Sequence, residues 1–250
     1  MKIYFKFFIY DFLCFRGKMK FHVEKSILCR QREKRGEHMI DHFCEYLTNQ
    51  IRKQMPEIDD EKAEVILYGI QLIIGEIPKI FLMFITGFIL GLWWQTLLAF
   101  FLLLPYKATT GGFHLKTHLG CILCTNLFYC GNAFISTILR FPTDSIKWIT
   151  IGLIWLFGIA MVTKYAPADT ENVPILTKKE RTTKKILSYI FLTINLLAAV
   201  IISNNTVSNI LILGTLIQTI SITRIAYILT KNKYGYELYQ KQNQITSTIG

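Results

Sequence analysis

His114 and Cys121 stand seven residues apart, His114 directly after Thr109-Thr110-Gly111-Gly112-Phe113, with long apolar runs on both sides. A thiol and an imidazole are the groups from which a cysteine nucleophile and its general base are built. A free thiol with its reference pKa of about 8.5 is only a few per cent thiolate at neutral pH, and a neighbouring imidazolium raises that fraction. A shift of two units would take about 2.7 kcal/mol of differential stabilisation. Along an unbroken helix the two side chains would share a face but lie ~10.5 Å apart in rise. Contact therefore demands a break between them, for which Gly120 and the Gly111-Gly112 pair are candidates. The pattern points to a cysteine protease acting on a peptide at a membrane.

Other residues compete for these roles. His118 lies three residues before Cys121, the spacing at which helical side chains meet without any break, and is the alternative base. Cys121 and Cys124 form a CxxC that, with His114 and His118, offers four N/S groups, so a membrane metallopeptidase is one rival reading. Structural zinc sites usually draw on two separated pairs, and the chain contains no HExxH and no phosphate-binding GxxxxGK[ST]. No metal and no cofactor is therefore expected. A second rival is a peptide exporter or sensor in which Cys121 merely packs. The six cysteines follow no framework spacing and read as free thiols, with Cys124 and Cys130 as packing residues. Lys107 could contact an acidic peptide or anchor the chain at headgroups, and the same two readings apply to the Lys178–Lys185 run. Asp169 could orient the histidine or cap a loop near Pro167. Glu76, a carboxylate within an apolar run, could be functional or paired with Lys79.

The elements that must position these residues are membrane helices. Hydrophobic residues make up 52% of the 250 and charged residues 18%, and the apolar ones cluster into runs long enough to cross a bilayer. Backbone polar groups in lipid must be satisfied internally, and no barrel-like alternation is present. An all-α polytopic membrane protein follows, with about six transmembrane helices behind an N-terminal interfacial amphipathic helix. Ile40, Phe43, Cys44, Leu47 and Ile51 form the stripe of that first helix, over about 40–55. Val65–Trp94, with Glu76, Pro78 and Lys79 in its middle, reads as a kinked first span or as an interfacial half followed by a membrane half, and Gln95–Leu104 as a short span of about 15 Å. The remaining spans are expected near 119–139, 146–163, 186–203 and 207–229.

The net charge of +11 is unevenly spread, with ten of the 28 Lys and Arg and four of the 17 Asp and Glu in residues 1–38. That segment lacks a signal-peptide pattern and reads as an extension upstream of Met39, leaving a membrane domain over 39–230 and a tail over 231–250. Lys107, Lys116, Lys164, the 178–185 cations, Lys231 and Lys233 fall on one side of the membrane. The loop at 203–206 is uncharged, and that at 140–147 holds only Arg140, Asp144 and Lys147. Positive-inside asymmetry then puts both termini and the His/Cys loop in the cytoplasm. These are loop charges beside lipid, not a basic-aromatic surface suited to nucleic acid.

The residues also carry a resemblance. Leu67-Tyr68-Gly69-Ile70, Gly91, the stretch from Lys107 to Cys121, and Tyr165-Ala166-Pro167-Ala168-Asp169-Thr170-Glu171-Asn172-Val173-Pro174 resemble the accessory gene regulator B (AgrB) family. Its members are bacterial quorum-sensing membrane endopeptidases, and the likeness spans about residues 40–230. The resemblance implies Cys121 as the catalytic thiol and His114 as the catalytic imidazole; Lys107, Gly111, Gly112 and Asp169 are candidate orienting or substrate-contacting positions beside them. It further implies a small amphipathic pro-peptide (AgrD-like) as substrate, a thiolactone or lactone product formed through an acyl-thioester, and a homodimer in the bacterial cell membrane. Ala108, His118 and Val173 differ from the residue types usual in the family at those places.

Overall fold

The structure is a computed structural model that describes residues 38–55, 59–115, 117–170, 175 and 177–235. Residues 1–37, read above as an extension, lie outside the described residues, as do Lys116 and 236–250. The chain divides into two compact units, Met1–Pro78 and Lys79–Gly250. Among the described residues all regular elements are helices, as the composition requires.

In the first unit, α1 (His38–Gln54) buries Cys44 and Thr48, four residues apart, while Phe43 and Tyr46 are exposed. The helix expected at the N-terminal end is present, but its buried line runs through Cys44 and Thr48, with Leu47 and Ile51 half-buried, and Phe43 of the expected stripe faces outward. Its last turn carries Arg52 and Lys53. Arg52 meets Asp60 at 2.6 Å, but Asp60 is 92% exposed, so the pair contributes little. Helix α2 (Asp60–Ile89) begins in this unit and runs through Pro78 as a single element.

The second unit holds the rest of α2 and the helices α3 (Trp93–Thr110), α4 (His118–Ile138), α5 (Asp144–Tyr165), α6 (Lys178–Ile201), α7 (Asn205–Ser221) and α8 (Arg224–Leu229). Five of these begin at a residue whose side-chain oxygen accepts a backbone N–H three positions on. Thr117, Thr143, Thr177, Asn204 and Thr223 accept from Gly120, Ile146, Glu180, Val207 and Ala226. Each such cap stabilises a helix start by about 1 kcal/mol and fixes where it falls.

Among the described residues, four helices are long and apolar enough to cross a membrane: Gly69–Ile89 within α2, Leu119–Ile138, Asp144–Tyr165 and Lys178–Ile201. Their outward residues, such as Leu127, Phe134, Ile149, Leu153, Leu197 and Ile201, are large, apolar and exposed, as lipid-facing residues must be. The 17- and 18-residue helices α7 and α3 pack among them.

Two expectations are corrected. The short span at Gln95–Leu104 is instead the 18-residue α3, about 27 Å long. It continues through Pro105 to Thr110, and the Pro105 carbonyl accepts Thr109 Oγ1 at 3.0 Å. The last span, expected as one run over 207–229, breaks at Ile222-Thr223 into α7 and α8. Thr223 caps α8 through its side chain, a turn chemistry hidden inside an apolar run.

The core of this unit lies between α3, α5, α6 and α7. Tyr106, Leu192, Leu196, Ala199, Leu211 and Ile212 are essentially inaccessible there, and a second cluster joins Met83, Ala99, Leu103, Tyr129, Cys130 and Ile210. Polar side chains cross-link the helices: Asn132 Nδ2 donates to Ile210 O at 3.1 Å, and Asn209 Nδ2 to Ser136 O at 3.2 Å and Leu139 O at 3.0 Å. In a bundle surrounded by lipid such bonds and close packing, rather than a hydrophobic drive, hold helices together.

Candidate functional site

Helix α3 ends where Gly111 takes φ +75°, which leaves its N–H bonded to Lys107 O at 3.0 Å and turns the chain out of the helix. Gly111 then forms a parallel bridge with Ala168. Ala168 N–H donates to Thr110 O at 2.8 Å and Gly112 N–H donates to Ala168 O at 2.9 Å. A Cβ on Gly111 would collide with the Ala168 carbonyl oxygen. Gly111 is thus required by close backbone approach as well as by torsion, and Gly112, at φ +145°, by torsion. Gln218 of α7 seals the turn, donating Nε2 to Gly111 O at 2.7 Å and to Thr110 Oγ1 at 2.9 Å.

From this anchor the loop carries His114 outward and re-enters helix at Thr117, whose side chain caps α4. Cys121 sits in the first turns of α4. His114 Nδ1 lies 3.9 Å from Cys121 Sγ, with the imidazole exposed and the thiol half-buried. The break that sequence spacing demanded is the 111–117 loop. Gly120 belongs to the helix, so it is not the break. With Nδ1 facing sulfur, a neutral His114 can accept the thiol proton only in the tautomer protonated at Nε2. The N-terminal end of α4 adds a dipole that favours an anion in its first turn.

The backbone N–H groups of Gly120 and Cys121 are committed to Thr117, Gly120 N–H to Oγ1 at 3.2 Å and Cys121 N–H to the carbonyl at 3.1 Å, so neither is available as an oxyanion donor. Lys107, on the last turn of α3, holds Nζ 5.5 Å from the Phe128 ring centroid and 5.3 Å from that of Tyr129. It therefore lies beside α4 and over its aromatic residues. His118 opens α4, and its side chain is outside the described set. Cys121, Cys124 and Cys130 are free thiols among the described residues. Among the described residues no three His, Cys, Asp or Glu side chains converge as metal ligands would.

Asp169 follows Ala168 in the strap that pairs with the glycine turn. Its side chain is 1% exposed. Oδ2 accepts from Ile175 N–H at 2.8 Å and from Arg181 Nη1 at 2.8 Å, and Oδ1 accepts from Arg181 Nη2 at 3.3 Å. Of its two readings, this geometry is loop capping. Within the 178–185 run, Arg181 is spent on Asp169, Lys184 pairs with Glu180 at 3.1 Å, and Lys185 Nζ donates to Thr163 O at 2.6 Å.

A family model, Accessory gene regulator B, matches residues 44–222. The chain belongs to the AgrB family. An AgrB-like protein of Listeria monocytogenes serovar 1/2a is 28% identical over 186 residues, covering 73% of this chain and 88% of the relative. One of Clostridium perfringens strain SM101 is 30% identical over 209 residues, covering 77% and 95%. No solved structure matches the chain significantly. This AgrB-family chain is thus a quorum-sensing-related membrane protein.

The AgrB match ends at Ile222, yet several residues that build the site lie beyond it. Asn232 Nδ2 donates to the carbonyl of His114 at 2.7 Å. Tyr234 stacks on Tyr227 at 4.0 Å and on Tyr165 at 5.9 Å, and bridges antiparallel to Thr170. Tyr227 OH donates to Ala168 O at 2.8 Å. Burial, with Tyr234 and Asp169 close by, pushes this phenol well above its usual range, so it keeps its proton and remains a donor. The sequence reading placed Asn232 and Tyr234 in a tail. Gln218 carried a usable signal, being an amide inside an apolar run. Asn232, in a polar stretch after the last helix, carried none.

Proposed function

We propose that this protein is a membrane cysteine endopeptidase that cuts a small amphipathic pro-peptide and passes the acyl group to a peptide thiol or hydroxyl, closing a thiolactone or lactone. Membership of the AgrB family supports the setting, and the 3.9 Å approach of His114 Nδ1 to Cys121 Sγ carries the chemistry. That separation is at the outer limit of a sulfur hydrogen bond, and catalytic bonds of this kind are often long before substrate binds.

Cys121 Sγ gives its proton to His114 Nδ1 and attacks the scissile carbonyl. The C–N bond breaks, His114 returns the proton to the departing amine, and an acyl-thioester remains on Cys121. A peptide thiol or hydroxyl then gives its proton to His114 and attacks this thioester, and Cys121 leaves as thiolate and takes that proton back from His114. Exchange of one thioester for another is near thermoneutral, whereas hydrolysis would waste the acyl group, so a site shielded from water favours cyclisation. Lys107 and the exposed Lys178 and Lys179 suit an acidic peptide segment. Positive-inside asymmetry puts the site and both termini at the cytoplasmic face.

The test is co-expression with a small amphipathic pro-peptide that carries an internal Cys or Ser and an acidic tail, with the products read by mass spectrometry. Cys121→Ala and His114→Ala should abolish cleavage, His118→Ala should retain it, and a chelator should have no effect. A pro-peptide lacking its ring nucleophile should leave a hydroxylamine-sensitive mass adduct on Cys121. Cleavage surviving Cys121→Ala would overturn the assignment, and cleavage lost in His118→Ala but kept in His114→Ala would transfer the base to His118.

A further inference from the structure

We propose that Asn232 is a positioning residue for His114, holding the loop so that the imidazole stays within reach of Cys121. The inference rests on the reading of Cys121 and His114 as nucleophile and base. His114 is the exposed part of an irregular loop whose two ends are fixed, one by the Gly111–Ala168 bridge and Gln218, the other by the Thr117 cap. Between those ends the backbone has no helical ladder to hold it. The Asn232 amide supplies a bond there, 2.7 Å to the His114 carbonyl, across 118 positions of chain.

Asn232 is itself set in place before it reaches the loop. Lys231 takes φ +55° at the end of α8, and Asn232 N–H donates to Tyr227 O at 2.9 Å. The side-chain nitrogen carries two hydrogens. One is accounted for locally, by Thr230 Oγ1 at 2.7 Å with the Thr230 carbonyl at 3.4 Å. The other is the one His114 receives. A residue that only finished α8 would need the Thr230 contact alone. Further along, Tyr234 stacks on Tyr227, its OH donates to Ile222 O at 3.0 Å, and Gly235 N–H donates to Asp169 O at 3.2 Å. The segment is therefore clamped on both sides of Asn232, and its amide transmits that rigidity to the histidine. A base held on a loop loses effectiveness steeply when displaced by about 1 Å, which makes such a distal contact consequential.

The test uses the full chain in detergent micelles, with iodoacetamide as probe and alkylation followed residue by residue by mass spectrometry between pH 6 and pH 9. His114→Ala supplies the curve for Cys121 without its partner. Asn232→Ala, and Asn232→Asp, which keeps the size but replaces the donor by an acceptor, should both move the Cys121 curve towards that of His114→Ala. Loss of one such hydrogen bond should slow Cys121 alkylation at neutral pH about 5-fold. Cys130, 5% exposed, is the internal control, because its alkylation rises if the bundle opens. Wild-type curves for Cys121 in folded Asn232→Ala and Asn232→Asp, with a slowed His114→Ala, would overturn the positioning role and leave the nucleophile–base pair standing. A wild-type curve in His114→Ala would remove the pair and this inference with it. Accelerated Cys130 alkylation in both Asn232 variants would mean that Asn232 holds the fold rather than the histidine, which also overturns the proposal.

Discussion

Gln218 Nε2 lies 2.7 Å from the carbonyl oxygen of Gly111, so a side chain in the last turn of an apolar helix fixes the turn from which the His114 loop departs. The amide is 1% exposed and its second contact is Thr110 Oγ1. Replacing it by Leu keeps the bulk and strands the Gly111 carbonyl. Gln218→Leu should lower stability by about 1–3 kcal/mol and reduce peptide processing more than it reduces folded yield. Thermal unfolding in micelles and product mass spectrometry measure the two effects, and unchanged processing would separate the turn from the chemistry.

The two glycines of the turn should differ in tolerance. Gly111→Ala meets backbone, the Ala168 carbonyl, at φ +75°, and neither can yield. At Gly112, φ +145°, the nearest obstacle is Ser221 Oγ at 3.0 Å, a side chain that can rotate. Gly111→Ala should therefore cost on the order of 2–4 kcal/mol and Gly112→Ala about 1–3 kcal/mol, in that order of severity. Unfolding midpoints of the two variants check the ranking, and the reverse order would contradict it.

Asp169 and Arg181 form a pair 2.8 Å apart, with side chains 1% and 15% exposed. Removing either partner leaves a charge poorly solvated, so Asp169→Ala and Arg181→Ala should each destabilise by about 3 kcal/mol or more. The double variant should recover part of that loss, giving a coupling on the order of 1–3 kcal/mol in a double-mutant cycle. Strict additivity would show that the pair does not act as a unit.

Tyr227 should make stability sensitive to alkali. Its phenol is pushed upward in the folded state, so the unfolded chain ionises first. The contribution is then fully present below the unfolded value of about 10 and declines as pH rises past it. Tyr227→Phe removes the bonds to Ala168 O and Asp169 O and should cost about 1 kcal/mol at neutral pH. The gap between wild type and variant should narrow above about pH 10, and denaturant titration at several pH values reads it.

Much of this molecule follows from its chain alone. Apolar runs of bilayer length leave helices as the economical structure, because lipid offers no partner for an unpaired backbone group. The helix around Cys44 and the threonine caps at 117, 143 and 177 follow from local chemistry. The residue pair at 114 and 121 was legible too, since seven positions along a helix cannot meet and glycines stood ready to break it.

Tertiary structure decided the rest. Whether Asp169 would face Arg181, whether Gln218 would reach Gly111, and whether Asn232 would touch the loop from 118 positions away depend on how helices far apart in sequence come together. Hydropathy reports that a residue is buried or polar, and capping rules report the few residues around it. Neither carries information about which two distant polar atoms will satisfy each other, because that pairing is fixed by the packing of the whole bundle.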